Sequence, residues 1–235
     1  PEINKAIYHG FAPPQYGPVP SLPKSVFFDP ALSKPTYPYD PAKGKKLLEK
    51  HGFTMKNGVM TSPKGVPLSF TMLYSSGSNA LTDMVELMQQ GWAKEGIKMT
   101  PVAEPFDTIV GDISSTSTAD KWDAASGIGI SYGGSYPTGE SLFEPGSSSM
   151  DTFGYNNSQE NALIAATHQP YANNSESLSH YFKYETYTAK QLPVLWNNNA
   201  ATLLVTAPTV TNVVKYSNSI TDMPQMQYWS AAKAK

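Results

Sequence analysis

A chain of 235 residues, 40% of them hydrophobic, is long enough for one sizeable domain or two small ones and apolar enough to exclude global disorder. Charged residues make up only 15%, the formal net charge is -2, and all seventeen basic residues are lysine; without arginine forks or a clustered basic face, nucleic acid is excluded as a partner. With no cysteine, thiol catalysis, disulfides and thiolate metal sites are excluded together.

In chain order, EINKAIYHGF predicts a first helix with Ile3, Ala6 and Ile7 on one face. Residues 13–38 are crowded with prolines and aromatics, which predicts an extended segment lying over a surface and anchored by Tyr16, Phe27, Phe28, Tyr37 and Tyr39. YDPAKGKKLLEKHGF predicts a helix capped by Asp40, with Pro41 in its first turn and Gly52 at its end. Strands follow over residues 54–76, with turns at Asn57-Gly58 and Lys64-Gly65 and with Leu68, Phe70 and Met72 alternating into a core. The clearest helix carries Leu81, Met84, Val85, Met88 and Trp92 at spacings of three and four. KMTPVAEP and KWDAASGIGI read as later strands around a short helix at 106–113; helices at 158–167 and 175–190 precede a strand-rich tail from LPVLW onward. This alternation of helices and strands predicts an α/β fold with a mixed sheet flanked by helices. No apolar run approaches the ~20 residues that span a bilayer.

The stretch GIGISYGGSYPTG contains the pattern Gly129-Ile130-Ser131-Tyr132-Gly133, which matches a nucleophile elbow. A serine hydrolase would use Ser131 with Asp151 and either His168 or His180. An elbow, however, needs a helix directly after the serine, and Gly133, Gly134, Pro137 and Gly139 oppose one. A phosphate cradle fails for want of a following lysine and helix. The four histidines have no ligand spacing with a carboxylate, so no metal site is expected, and no cofactor motif is present. What remains is a loop at a strand end that brings main-chain donors and acceptors close to a ligand, with Tyr132 and Tyr136 as stacking faces. The expected ligand-binding residues are Ile130, Ser131, Tyr132, Gly133, Gly134, Ser135 and Tyr136.

Seven blocks in order, INKAIYHGFAPPQYGPVP, YPYDPAKGKKLLEKHGF, LSFTMLYSS, MQQGWAKEGIKM, KWDAASGIGISYGGSYP, FGYNNSQENALIAA and QLPVLWNN, resemble the extracellular peptide-binding proteins of bacterial ABC importers. The resemblance implies a periplasmic-binding-protein-like lobe with no chemical step. It further implies that residues 1–235 form the C-terminal lobe of a longer two-lobe protein, with 1–39 as a proline-rich segment packed on the lobe and about 193–235 as a tail returning toward an N-terminal lobe. The implied partners are a peptide or similar polar solute, the membrane-embedded importer subunits and that N-terminal lobe; the implied location is extracellular, with a lipoprotein anchor outside this chain. In the family an acid before Tyr-Pro receives the peptide's amino terminus. Ser135 stands in that place here, with Glu140 close by as a substitute. A surface adhesin on the same fold is the third alternative.

Overall fold

The computed structural model describes residues 2–129, 137–146, 155–199, 201, 204–213 and 225–231. A short helix α1 (Glu2–Ala6) leads into residues 11–39, which run as turns and extended chain apart from a 3-10 turn at Pro30–Ser33. Helix α2 (Pro41–Lys50) begins where expected, because the Asp40 carboxylate accepts a 2.9 Å bond from the Lys43 N–H and Pro41 needs no donor partner. Strands β1 (Thr54–Lys56) and β2 (Val59–Thr61) form an antiparallel ribbon. Asn57 and Gly58 turn it with φ of 50° and 80°, the left-handed pair that a tight hairpin requires.

The main sheet consists of β3 (Ser69–Ser75), β4 (Lys98–Glu104) and β5 (Ala124–Ser126), all parallel, in the order β4-β3-β5. Parallel strands need crossovers, and α3 (Asn79–Ala93) and α4 (Phe106–Ile113) supply them. Side chains alternate along β3, so its two faces enter different cores. Met72 packs with Val85 of α3 and Met99 of β4, while Leu73 packs with Ile109 of α4 and Trp122. The sheet is thus covered on both faces, as parallel sheets are. Trp92 closes the rim of the α3 core, half-buried and edge-on to Phe70 at 5.0 Å between ring centroids.

A second layer is helical: α5 (Glu140–Phe143), α6 (Ser158–Thr167) and α7 (Asn174–Gln191) meet around Leu142, Phe143, Ile164 and Tyr184. Between α6 and α7 the fully buried Glu160 accepts bonds from the hydroxyls of Thr188, at 2.6 Å, and Tyr155. Burial, and then the Glu160 carboxylate, push the Tyr155 phenol well above its ordinary range. The remaining strands, β6 (Val210–Thr211) and β7 (Ser230–Ala231), pair with each other.

The proline-rich segment does lie on this layer, but its anchors differ from those the sequence suggests. Tyr37 and Tyr39 are 60% and 64% exposed, whereas Ala12, Val19 and Leu32 are buried. Phe27 reaches Tyr181, with centroids 4.9 Å apart. The ties that cross to α7 are largely polar: Thr186 Oγ1 donates to Asp29 Oδ2 at 2.8 Å, and the Asp29 N–H donates to Glu185 Oε2 at 3.2 Å. Among the described residues of the tail, Asn197, Asn199 and Ala201 meet residues 11–15 through Gln15 N–H to Asn197 O, Asn199 N–H to Pro13 O and Ala201 N–H to Phe11 O. Pro13 has no N–H to return to Asn199, and only an isolated bridge forms, at Pro14 and Asn198.

Ile109→Ala should cost about 2 to 5 kcal/mol, since Ile109 is wholly buried between Leu73 and Trp122. Leu47→Ala, at an exposed position on α2, should stay within about 0.5 kcal/mol. Urea titration of both variants checks the contrast.

Candidate ligand-binding loop

Strand order in the main sheet reverses at β3: the chain passes to β4 on one side, then returns to β5 on the other. In open α/β sheets a crevice opens outside the carboxyl ends of the strands where the order reverses, and ligands settle there. That rule points to the ends of β3 and β5 here. Beyond β3 come Ser76, Gly77 and Ser78, all exposed, with Gly77 at φ 91°. Beyond β5 come Gly127, Ile128 and Gly129, also exposed.

Two glycines frame the segment that leaves β5. Gly127 has φ 81°, and a Cβ there would lie 2.5 Å from Leu81 Cδ2 in the first turn of α3. The exit of β5 is therefore pressed against the helix that leaves β3. At the far end Pro137, Thr138 and Gly139 are buried, and a Cβ on Gly139 would fall 2.6 Å from Tyr184 Cζ. Residues 127–129 thus leave the sheet edge exposed, and residues 137–139 are buried on the helical layer. The expected ligand residues, Ile130, Ser131, Tyr132, Gly133, Gly134, Ser135 and Tyr136, lie outside the described residues, as does Asp151.

Just beyond the loop, Glu140 Oε2 and His168 Nε2 are 3.0 Å apart, joining the start of α5 to the end of α6. The Glu140 carboxylate remains half-exposed. His180, the other histidine considered for hydrolysis, stacks on Tyr171 at 4.2 Å. Among the described residues no group of three or more histidine, aspartate or glutamate side chains could hold a metal ion, and no helix is long and apolar enough to cross a membrane.

Sequence reasoning missed the Gly139–Tyr184 contact and the buried carboxyls of α7 and its neighbours. A signal for Glu185 was present. Tyr181, Tyr184, Glu185, Thr188 and Ala189 are spaced as one buried helical face, with an acid in its middle.

A family model described as the middle region of the family 5 bacterial extracellular solute-binding proteins matches residues 1–154. No curated protein sequence matches significantly. Among solved structures, the oligopeptide-binding protein AppA from Bacillus subtilis, in complex with a nonapeptide, superposes with a TM-score of 0.77 at 17% identity, over 99% of this chain and 45% of its own. Lactococcal OppA, complexed with an endogenous peptide in the closed conformation, gives 0.74 at 20% identity over 85% and 37%. NikA from Brucella suis, in complex with Fe(III)-EDTA, gives 0.73 at 15% identity over 98% and 45%. The chain spans less than half the length of these proteins.

Gly127→Ala should destabilise the chain by about 1 to 3 kcal/mol, because φ 81° strains any side chain and Leu81 occupies the space. Gly129→Ala, with open space around it and no positive φ, should be close to neutral. Thermal unfolding of the two variants distinguishes framing glycine from free glycine.

Proposed function

Since the chain belongs to the family 5 bacterial extracellular solute-binding proteins, we propose that it is the C-terminal lobe of a two-lobe binding protein that delivers a peptide or similar polar solute to an ABC importer. The observation that carries this reading is that residues 127–129 leave the carboxyl end of β5 beside the point where the strand order reverses. Residues 130–136 would supply main-chain bonds and the faces of Tyr132 and Tyr136, and the other half of the pocket would come from the N-terminal lobe. The ligands named for the similar structures, a nonapeptide, an endogenous peptide and Fe(III)-EDTA, support a polar solute without fixing its kind. The protein would work outside the membrane, held there by a lipid anchor and docking on the importer's membrane subunits. Hydrolysis by Ser131 would need a histidine beside it, and both candidates have other partners: His168 meets Glu140 and His180 stacks on Tyr171.

A ligand clamped between two lobes loses about half of its contacts when one is absent. Calorimetry of this chain alone with peptides should therefore give a Kd weaker than about 1 mM, corresponding to about 4 kcal/mol. A tighter Kd would show that the pocket is complete without a second lobe.

The amine-binding acid of the family is replaced by Ser135, and Glu140 already faces His168. The two-lobe protein should then discriminate little between free and acetylated peptide amino termini. Ser135→Asp should create a preference for the free amine of roughly 1 to 2 kcal/mol, because bonds to charged groups exceed neutral ones. A strong wild-type preference abolished by Glu140→Gln would transfer the role to Glu140.

A further inference from the structure

The buried acid on α7 has a use that ligand binding does not explain. Glu185 is 0% exposed, yet its Oε2 receives only the 3.2 Å bond from the Asp29 N–H, and its Oε1 has no hydrogen-bond partner among the described residues. Asp29 is better served: Oδ1 accepts from the Ala31 N–H at 2.9 Å and Oδ2 from Thr186 Oγ1 at 2.8 Å. The donors that a carboxylate needs are thus concentrated on Asp29, and Glu185 sits beside it with one. Around Glu185, α7 contributes Tyr181 one turn earlier and Tyr184 next in sequence; α6 contributes the carboxylate of Glu160, bonded one turn later at Thr188; the proline-rich segment contributes Asp29. No cation is among these described neighbours. The ion pairs found among the described residues, Lys121–Asp112 and His168–Glu140, lie elsewhere.

We propose that Glu185 is a proton-held latch: with its carboxyl neutral, the proline-rich segment around Asp29 stays seated on α7, and ionisation of that carboxyl beside Asp29 releases it. A neutral acid tolerates burial with one donor, whereas an anion with an unserved oxygen and an anionic neighbour does not. Consistently, burial pushes the Glu185 carboxyl up to about 8, with the Asp29 N–H bond opposing the shift and the Asp29 charge adding to it. The folded chain holds this proton more tightly than the unfolded chain, so the contribution is complete below the ordinary carboxylate range and is lost as pH rises through about 8. Elsewhere the segment is held by buried Leu32, by Phe27 against Tyr181 and by the Tyr37 hydroxyl donating to Lys190 O at 3.1 Å, while Lys24, Val26 and Lys34 near Asp29 are exposed.

Limited trypsinolysis of the chain reads the latch directly. The bond after Lys24 lies within the segment, and the bond after Lys64, in an exposed turn, serves as the internal reference. The ratio of cleavage at Lys24 to that at Lys64 should rise about tenfold between pH 7 and pH 9, following the ionised fraction of a group titrating near 8. Glu185→Gln, which cannot ionise, should keep the ratio flat. Asp29→Asn removes the neighbouring charge and should move the rise to lower pH. Wild-type ratios that stay flat across this range, or a rise that persists in Glu185→Gln, would overturn the proposal. Should Glu185→Gln fail to fold, a rise in Asp29→Asn at unchanged or higher pH would overturn it as well.

Discussion

Along β3, Met72 and Leu73 point into opposite cores, and the rest of the chain is arranged to cover both. A strand paired in parallel on both edges cannot be joined to its neighbours by hairpins. Each parallel neighbour requires a helix to bring the chain back, and α3 and α4 lie on opposite faces because each core needs one. Once β4 has taken one side of β3, β5 takes the other. Residues 127–129 leave the carboxyl edge of the sheet beside that reversal. Where the chain leaves β5 is therefore a consequence of topology.

The helical layer solves a different problem. Its apolar cluster is small, and it surrounds buried carboxyls that must be matched. Glu160 is matched twice, by hydroxyls of Tyr155 and Thr188, and ties α6 to α7. Asp29 is matched by a main-chain amide and by Thr186, and ties the proline-rich segment to the same helix. Glu185 is the exception, with one bond and deep burial. Buried polar groups specify a unique arrangement only when satisfied, so a half-satisfied acid marks a place where the packing can change.

How much of this was legible in the sequence depends on the range of the interactions. Caps are local: Asp40, Ser78, Asn157 and Asn173 each accept from amides two or three residues on, so the starts of α2, α3, α6 and α7 could be read directly. The glycine turns are local in the same way. The pairing of residues 11–15 with 197–201, and the bond between Asp29 and Glu185 across 156 positions, depend on chain reversals that no local pattern encodes. Tyr37 and Tyr39 misled for a related reason: aromatic content suggests burial, but small Ala12 and branched Val19 and Leu32 fit the available space. That a glycine-rich stretch leaves a strand end was readable from KWDAASGIGI followed by glycines, whereas the reversal of strand order beside that end required the sheet.

The central claim is that solute meets residues 130–136 beside the carboxyl ends of β3 and β5. Photo-crosslinking on the two-lobe protein, with a mixed peptide library carrying a photoreactive group and the adducts located by mass spectrometry, tests it most directly. The account predicts adducts confined to residues 75–78 and 127–137. Adducts concentrated instead in the cleft lined by Tyr16, Tyr37 and Trp196, between the proline-rich segment and the end of α7, would contradict it.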